Sequence, residues 1–248
     1  MGTLTTIGTD SRHQILRAAA TLFQCNGYDA TSIQDICSAL GLSKGALYHH
    51  FRSKDEILFH IMSHAMEITE ERVIAPVRAM TLVPEIHHVA ATAVANEPAG
   101  LAEARLRALI RLHLETVLRT RDREITVMLH ENHPLSPEFR GKINERKKNY
   151  VKFVEESFSA AQAERAAGYA SNNGTSPGKS AGTPLEKFGD NPARRSGAEV
   201  NVSARAATFA LLGMINWIYQ WYKPGGPISE EELIREYTAI VFSGAFGR

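Results

Sequence analysis

A glycine at position 41, set between two short apolar stripes, constrains this chain more than any other feature. Residues 31–51 read Thr-Ser-Ile-Gln-Asp-Ile-Cys-Ser-Ala-Leu-Gly-Leu-Ser-Lys-Gly-Ala-Leu-Tyr-His-His-Phe. Ile33, Ile36, Cys37 and Leu40 recur at helical spacing. Gly41 admits the left-handed backbone that a tight turn between helices needs. Leu42 plugs the gap, Ser43 caps a second short helix carrying Ala46, Leu47, His50 and Phe51, and Thr31 or Ser32 caps the first. Helices this short cannot bury their own apolar faces, so the segment requires flanking helices. Ile15, Ala18, Ala19, Leu22 and Phe23 form one stripe, closed by Asn26-Gly27. Ile57, Leu58, Ile61, Met62, Ala65 and Ile68 form another, which starts at Ser53 with Glu56 in the capping-box position and runs toward Pro76.

The outer surface of the second short helix is unusual for a bundle. Lys44, Gly45, Tyr48 and His49 are small, basic or aromatic-polar. Lys44, Arg52 and Lys54 supply three cations between Leu42 and Lys54, a stretch without a carboxylate. Formal net charge is only +1, so any attraction to nucleic acid has to be local. Such a helix fits the major groove with its N-terminal residues at base edges. Lys44, Tyr48 and Lys54 suit phosphate oxygens, and the amide ends of the helices beginning near Ser32 and Ser53 are further phosphate sites.

The rest of the chain is also helical in pattern, over about 100–120, 122–131, 136–163, 200–222 and 229–245, and no segment shows strand alternation. The expected class is all-α: a disordered start over 1–9, a three-helix domain over 10–56 with the helix-turn-helix near 31–51, and a helical bundle over 57–248. Pro224-Gly225-Gly226-Pro227 makes a turn, after which Ser229 caps the last helix with Glu232 at the box position. Residues 168–198 are rich in Gly, Ser, Asn, Pro and Ala and predict a mobile loop. The N-terminal MGTLTTIGTD has neither the charged nor the apolar region of a signal peptide, and Ala206–Tyr222 is too short and too polar for a membrane span. A cytoplasmic protein is expected, and its two cysteines, Cys25 and Cys37, read as buried thiols.

Thr31, Ile36, Gly41, Leu42, Ser43, Gly45, Leu47, Tyr48, Phe51, Lys54, Glu56 and Leu58 closely resemble the DNA-binding domain of the tetracycline-repressor family. Cys37 stands where that family usually has Ala. The resemblance covers about residues 10–60. It implies a homodimeric repressor without cofactor or catalysis, released from a palindromic double-stranded operator by a small effector. Its DNA surface would comprise Thr31, Ser32, Ser43, Lys44, Gly45, Ala46, Tyr48, His49, His50 and Lys54, with Thr31, Tyr48 and Lys54 on phosphates. The ending Leu212–Pro227 with Glu231-Glu-Leu233 resembles members that govern lipid or aromatic-acid degradation and respond to acyl-coenzyme A. Phe209, Leu212, Gly213, Asn216, Trp217 and Gln220 share overlapping faces of one helix and are the expected dimer interface. Arg107, Arg111 and Arg146 are the candidate ligand cations, with Lys147 and Lys148 beside them.

The alternative is a helical enzyme or small-molecule-binding protein without DNA function, which needs a catalytic cluster that the sequence lacks. Gly41-Leu-Ser-Lys-Gly45 matches a hydrolase nucleophile elbow, but no strand precedes it. Gly174-Thr-Ser-Pro-Gly-Lys-Ser180 is one residue short of a phosphate loop. His60/His64 and His130/His133 have metal-ligand spacing but no evident third ligand, so no metal site is expected.

Overall fold

A computed structural model describes residues 4–81, 100–119, 127, 135–172 and 202–245, and all regular structure among them is helical. Helix α1 spans Leu4–Asn26. It begins inside the stretch expected to be disordered, because nothing from Leu4 to Asp10 stops a helix: Thr and Ile cost under about 1 kcal/mol each, and Gly8 about 1. Helix α2 (Ile33–Leu40) opens on a capping box in which Ser32 and Asp35 exchange side-chain and backbone bonds. Gly41 ends it at φ 65°, a conformation costly for residues with a Cβ, and the Leu42 amide donates back to the Cys37 carbonyl at 2.9 Å. Helix α3 (Lys44–His50) is capped by Ser43, whose hydroxyl accepts from the Ala46 amide.

Helix α4 (Lys54–Thr69) is capped by Ser53 and runs through a π turn, Glu70–Ile74, into α5 (Ala75–Ala79). The sequence reading stopped this helix near Pro76, yet it continues. Pro76 has no N–H and its ring crowds the carbonyl four residues back; in the π turn the Ala75 amide bonds the Glu70 carbonyl, five residues back, and the widened turn makes room for the ring.

The second domain is built from α6 (Leu101–Arg119), α7 (Pro137–Asn172), α8 (Ala204–Trp221) and α9 (Glu230–Ala245). The expected loop therefore starts later, since α7 carries residues 168–172. The remainder of that loop, the helical pattern at 122–131 apart from Val127, and the motifs at 174–180 and His130/His133 lie outside the described residues. The 36 residues of α7 make a rod of about 54 Å. It packs against α6 and α8 in the bundle and against α4 at its start. Glu164 near its far end accepts the Ala102 and Glu103 amides, satisfying the N-terminus of α6. Before α9, Gly225 sits at φ 77° and the Gly226 amide closes on the Lys223 carbonyl.

A single apolar core runs from Ile15, Phe23, Ile36, Leu47 and Phe51 along α4, through Ile57, Ile61 and Ala65, to Leu109, Val154, Phe158, Leu211 and Ile215. Cys37 belongs to it. Cys25 does not: it lies about 200° around α1 from Phe23 and is exposed, contrary to the expectation of two buried thiols.

Candidate nucleic-acid interface and effector site

Only Leu47 of α3 faces the core; Lys44, Gly45, Ala46, Tyr48 and His49 are all exposed and His50 is partly so. Tyr48 is 50% exposed. Gly45 is not required by the fold: a Cβ there would meet nothing nearer than the Ser43 hydroxyl at 3.9 Å, and its backbone is helical. Glycine inside a helix costs about 1 kcal/mol relative to alanine, and no contact within the described residues accounts for it here.

Other expected contacts turn inward. Thr31 is 1% exposed, and its hydroxyl donates to the Gly27 carbonyl at 2.8 Å, closing the α1–α2 junction rather than facing a phosphate. Lys54 donates to the Tyr28 and Thr31 carbonyls, both at 2.8 Å, and lies 4.1 Å over the Tyr28 ring. The amide ends near Ser32 and Ser53 already hold carboxylates: Asp35 takes the Ser32 amide, and Glu56 takes the Arg52 amide. The bonds from Ser32 hold Asp35 below the usual carboxylate range, so it stays ionised and opposes a phosphate at that terminus.

Arg12 escaped sequence reading, although it fixes the pose of α3. Its guanidinium donates to the His50 carbonyl at 3.1 Å, meets His60 Nε2 at 2.8 Å and covers the Phe51 ring at 4.4 Å. Burial, then the Arg12 charge, lower the His60 pKa, so His60 is the neutral partner. The partners of Arg12 are some 38 to 48 positions away, and no local spacing announces them. Among the described residues no group of three His, Cys, Asp or Glu is arranged to hold a metal.

The start of α7 and the residue before it grip α4 and its π turn at three points. The Asp55 carboxylate accepts the Ser136 amide at 3.2 Å, and Phe59 and Phe139 stack 4.4 Å apart. Arg146 forms a two-pronged pair with Glu70 at 3.2 and 3.1 Å and donates to the Ser63 carbonyl, with Glu67 at 3.7 Å. Arg146 is thus engaged with α4, and the other two candidate ligand cations are also held internally. Arg107 bonds Glu103 and lies 3.8 Å from the Phe242 ring centroid. Arg111 makes a two-pronged pair with Glu231, which raises its pKa further. Both arginines fasten α6 to α9.

The side of α7 facing α8 carries a different cation group. Lys147, Lys148, Lys152 and Arg205 line a groove of about 420 Å³ with Val151 and Phe209 as apolar wall and Glu155 as its one carboxylate. Burial lowers the Lys147 pKa. The groove borders an exposed stripe on α8, where Phe209, Gly213, Trp217 and Gln220 face solvent, Trp217 by 62%. A Cβ on Gly213 would meet nothing within 4 Å. Leu212, expected on this stripe, is buried in its own core, and Asn216 is half-buried at the edge.

A three-helix head whose third helix is exposed and free of carboxylates, joined by α4 to a separate helical domain, defines a helix-turn-helix regulator. Residues 15–61 match the family described as bacterial regulatory proteins, tetR family, and residues 99–172 and 192–245 match the tetracyclin repressor-like C-terminal domain. The chain belongs to the tetR family. The repressor KstR2 of Mycolicibacterium smegmatis is 24% identical over 239 residues, covering 94% of this chain and 89% of that protein. The crystal structure of AibR with isovaleryl coenzyme A and operator DNA is 30% identical, covers 93% of this chain and 96% of that one, and superposes with a TM-score of 0.63. The structure of KstR2 of Mycobacterium tuberculosis shares the fold at a TM-score of 0.62, 20% identity and 96% coverage of both chains. No helix among the described residues is long and apolar enough to cross a membrane.

Proposed function

We propose that the chain is a homodimeric repressor whose two α3 helices enter successive major grooves of a palindromic operator, and that an acyl-coenzyme A thioester releases it. The observation that carries the DNA reading is the exposed face of α3, with Gly45 left small in a helix that has room for a side chain. Lys44, Gly45, Ala46 and His49 face base edges, while Tyr48 and Arg52 hold phosphates; Ser32 and Ser43 shape the helices by capping them. The thioester reading is supported by the likeness to AibR, which was crystallised with isovaleryl coenzyme A, and by the Lys147–Lys148–Lys152–Arg205 groove. Its cations suit phosphates and its Phe209 ring suits a stacked base. Ligand on the α8 side of α7 displaces α7, and the three contacts from α7 carry that displacement to α4 and the DNA head. The requirement is only that ligand favour one spacing of the two heads over the other.

Fluorescence anisotropy of a labelled duplex from upstream of the gene, at fixed salt, tests this. The expected result is selective binding reversed by an acyl-coenzyme A, with reversal lost in K148E/R205E. Tyr48→Ala is expected to weaken binding by about tenfold on every sequence alike, the worth of one bond to a charged oxygen. Selective binding that the thioester never reverses would refute the effector assignment; unchanged binding in Y48A would refute the phosphate contact.

The exposed α8 stripe beyond the groove, Gly213, Trp217 and Gln220, is the proposed dimer face, with Gly213 permitting close helix approach and Phe209 left to the groove at its edge. In a two-fold interface every substitution counts twice. A buried tryptophan is worth about 2 kcal/mol, so Trp217→Glu is expected to cost about 4 kcal/mol, roughly a thousandfold in dimer Kd. Sedimentation velocity reads this directly, and an undiminished dimer in W217E would place the interface elsewhere.

A further inference from the structure

A second cavity lies on the opposite side of α7, against the π turn. It encloses about 580 Å³ between Glu70, Ile74, Ala75 and Arg78 on one wall and Arg146, Asn149, Tyr150, Lys152, Phe153 and Glu156 on the other. Around α7 the groove facing α8 centres near Lys148, whereas Asn149, Phe153 and Arg146 lie roughly 100° to 160° away, with Lys152 between the two sets. The cavities adjoin only at Lys152, which lines both, and this one touches the link through which α7 holds α4.

Its lining carries three cations, Arg78, Arg146 and Lys152, against two carboxylates, Glu70 and Glu156, with Glu67 3.7 Å from Arg146 just outside it. Arg146 takes Glu70 and Lys152 takes Glu156, the latter at 3.7 Å. Arg78 remains, with no carboxylate paired to it among the described residues. Its guanidinium lies 5.1 Å from the Phe153 ring centroid. Glu70 shows what Arg146 is shaped to hold, a carboxylate gripped by two parallel N–H bonds. Ile74, Ala75 and Phe153 offer an apolar surface beside that charge.

We propose that the cleft between the π turn and α7 is a binding site for a small apolar or aromatic carboxylate, held by Arg78 and, in exchange for Glu70, by Arg146. Occupancy removes the Glu70–Arg146 link and loosens α7 from α4 at the point where the helix is already interrupted. The binding is independent of the operator and thioester readings, so it can fail or succeed without them.

The test is calorimetric titration of the full chain with benzoate, no DNA being present. Wild type is expected to bind one benzoate per chain with a Kd on the order of a millimolar, as suits a ligand of so few atoms. Arg78→Gln is expected to weaken binding by about tenfold or more, and Glu70→Gln to tighten it about tenfold, because it removes the internal competitor. The gain in E70Q separates ligand exchange from mere surface attraction, since deleting one charge at a distance gives no such gain at raised salt. No saturable heat, an unchanged Kd in either variant, or inorganic phosphate binding as tightly as benzoate would overturn the proposal.

Discussion

Phe51→Ala is expected to lower the unfolding free energy by about 3 to 5 kcal/mol and to abolish operator binding near physiological temperature. The ring is 1% exposed and among the largest fully buried side chains. Truncating a phenylalanine in such a position removes its transfer energy and leaves a cavity. At this position it also strips the apolar platform under the Arg12 guanidinium, 4.4 Å from the ring centroid, and Arg12 is the group that ties the end of α3 to α1 and α4. Phe51 ends α3, with its amide bonded to the Leu47 carbonyl, so the loss falls on the helix that meets DNA. Urea unfolding followed by circular dichroism reads the stability term, and Phe51→Leu is expected to recover most of it by refilling the space. A loss below about 1 kcal/mol in F51A, the range of a surface change, would mean that the head packs without this ring.

The head was legible because its information is local. Caps, the left-handed glycine and the apolar stripe all lie within a few residues of what they control, and Ser32, Gly41, Ser43 and Ser53 act as their spacing predicts. The side chains that orient the head were not legible for the opposite reason. Arg12 and Lys54 look like ordinary charged positions on amphipathic helices; only the folded chain shows Lys54 spent on two carbonyls. The second domain repeats this contrast. Its helices follow from periodicity, whereas Arg111 and Arg146 read as available cations until their carboxylate partners, 120 and 76 positions distant, are brought beside them; the Glu103 partner of Arg107 sits four residues back on the same helix, a spacing that the sequence does show. The helix across Pro76 shows a local rule overridden: a proline ends an α-helix by its missing donor and its ring, and the π turn relieves the clash of the ring.

Acidification is expected to destabilise the second domain through one buried pair. Tyr150 Oη and His113 Nδ1 lie 2.7 Å apart between α6 and α7, and both residues are buried. Burial pushes the His113 pKa down to about 4 and the Tyr150 phenol up, so the pair is neutral on both sides. Above pH 6.5 imidazole is neutral in the folded and unfolded chain alike, and His113 contributes no pH dependence. Below 6.5 the unfolded chain takes up a proton that the folded one refuses, so stability falls with pH by up to about 1.4 kcal/mol per unit until the folded value near 4 is reached. The loss accumulates to about 3 kcal/mol. His113→Gln keeps an acceptor for the Tyr150 hydroxyl without the titration. The difference between wild-type and H113Q unfolding free energies, in which the shared carboxylates and His60 cancel, is expected to be flat above pH 6.5 and to shrink steadily below it. A difference independent of pH from 7 down to 4.5 would mean that His113 titrates with solvent, and that the seam joining α6 to the helix that grips α4 is not the dry, neutral contact its burial describes.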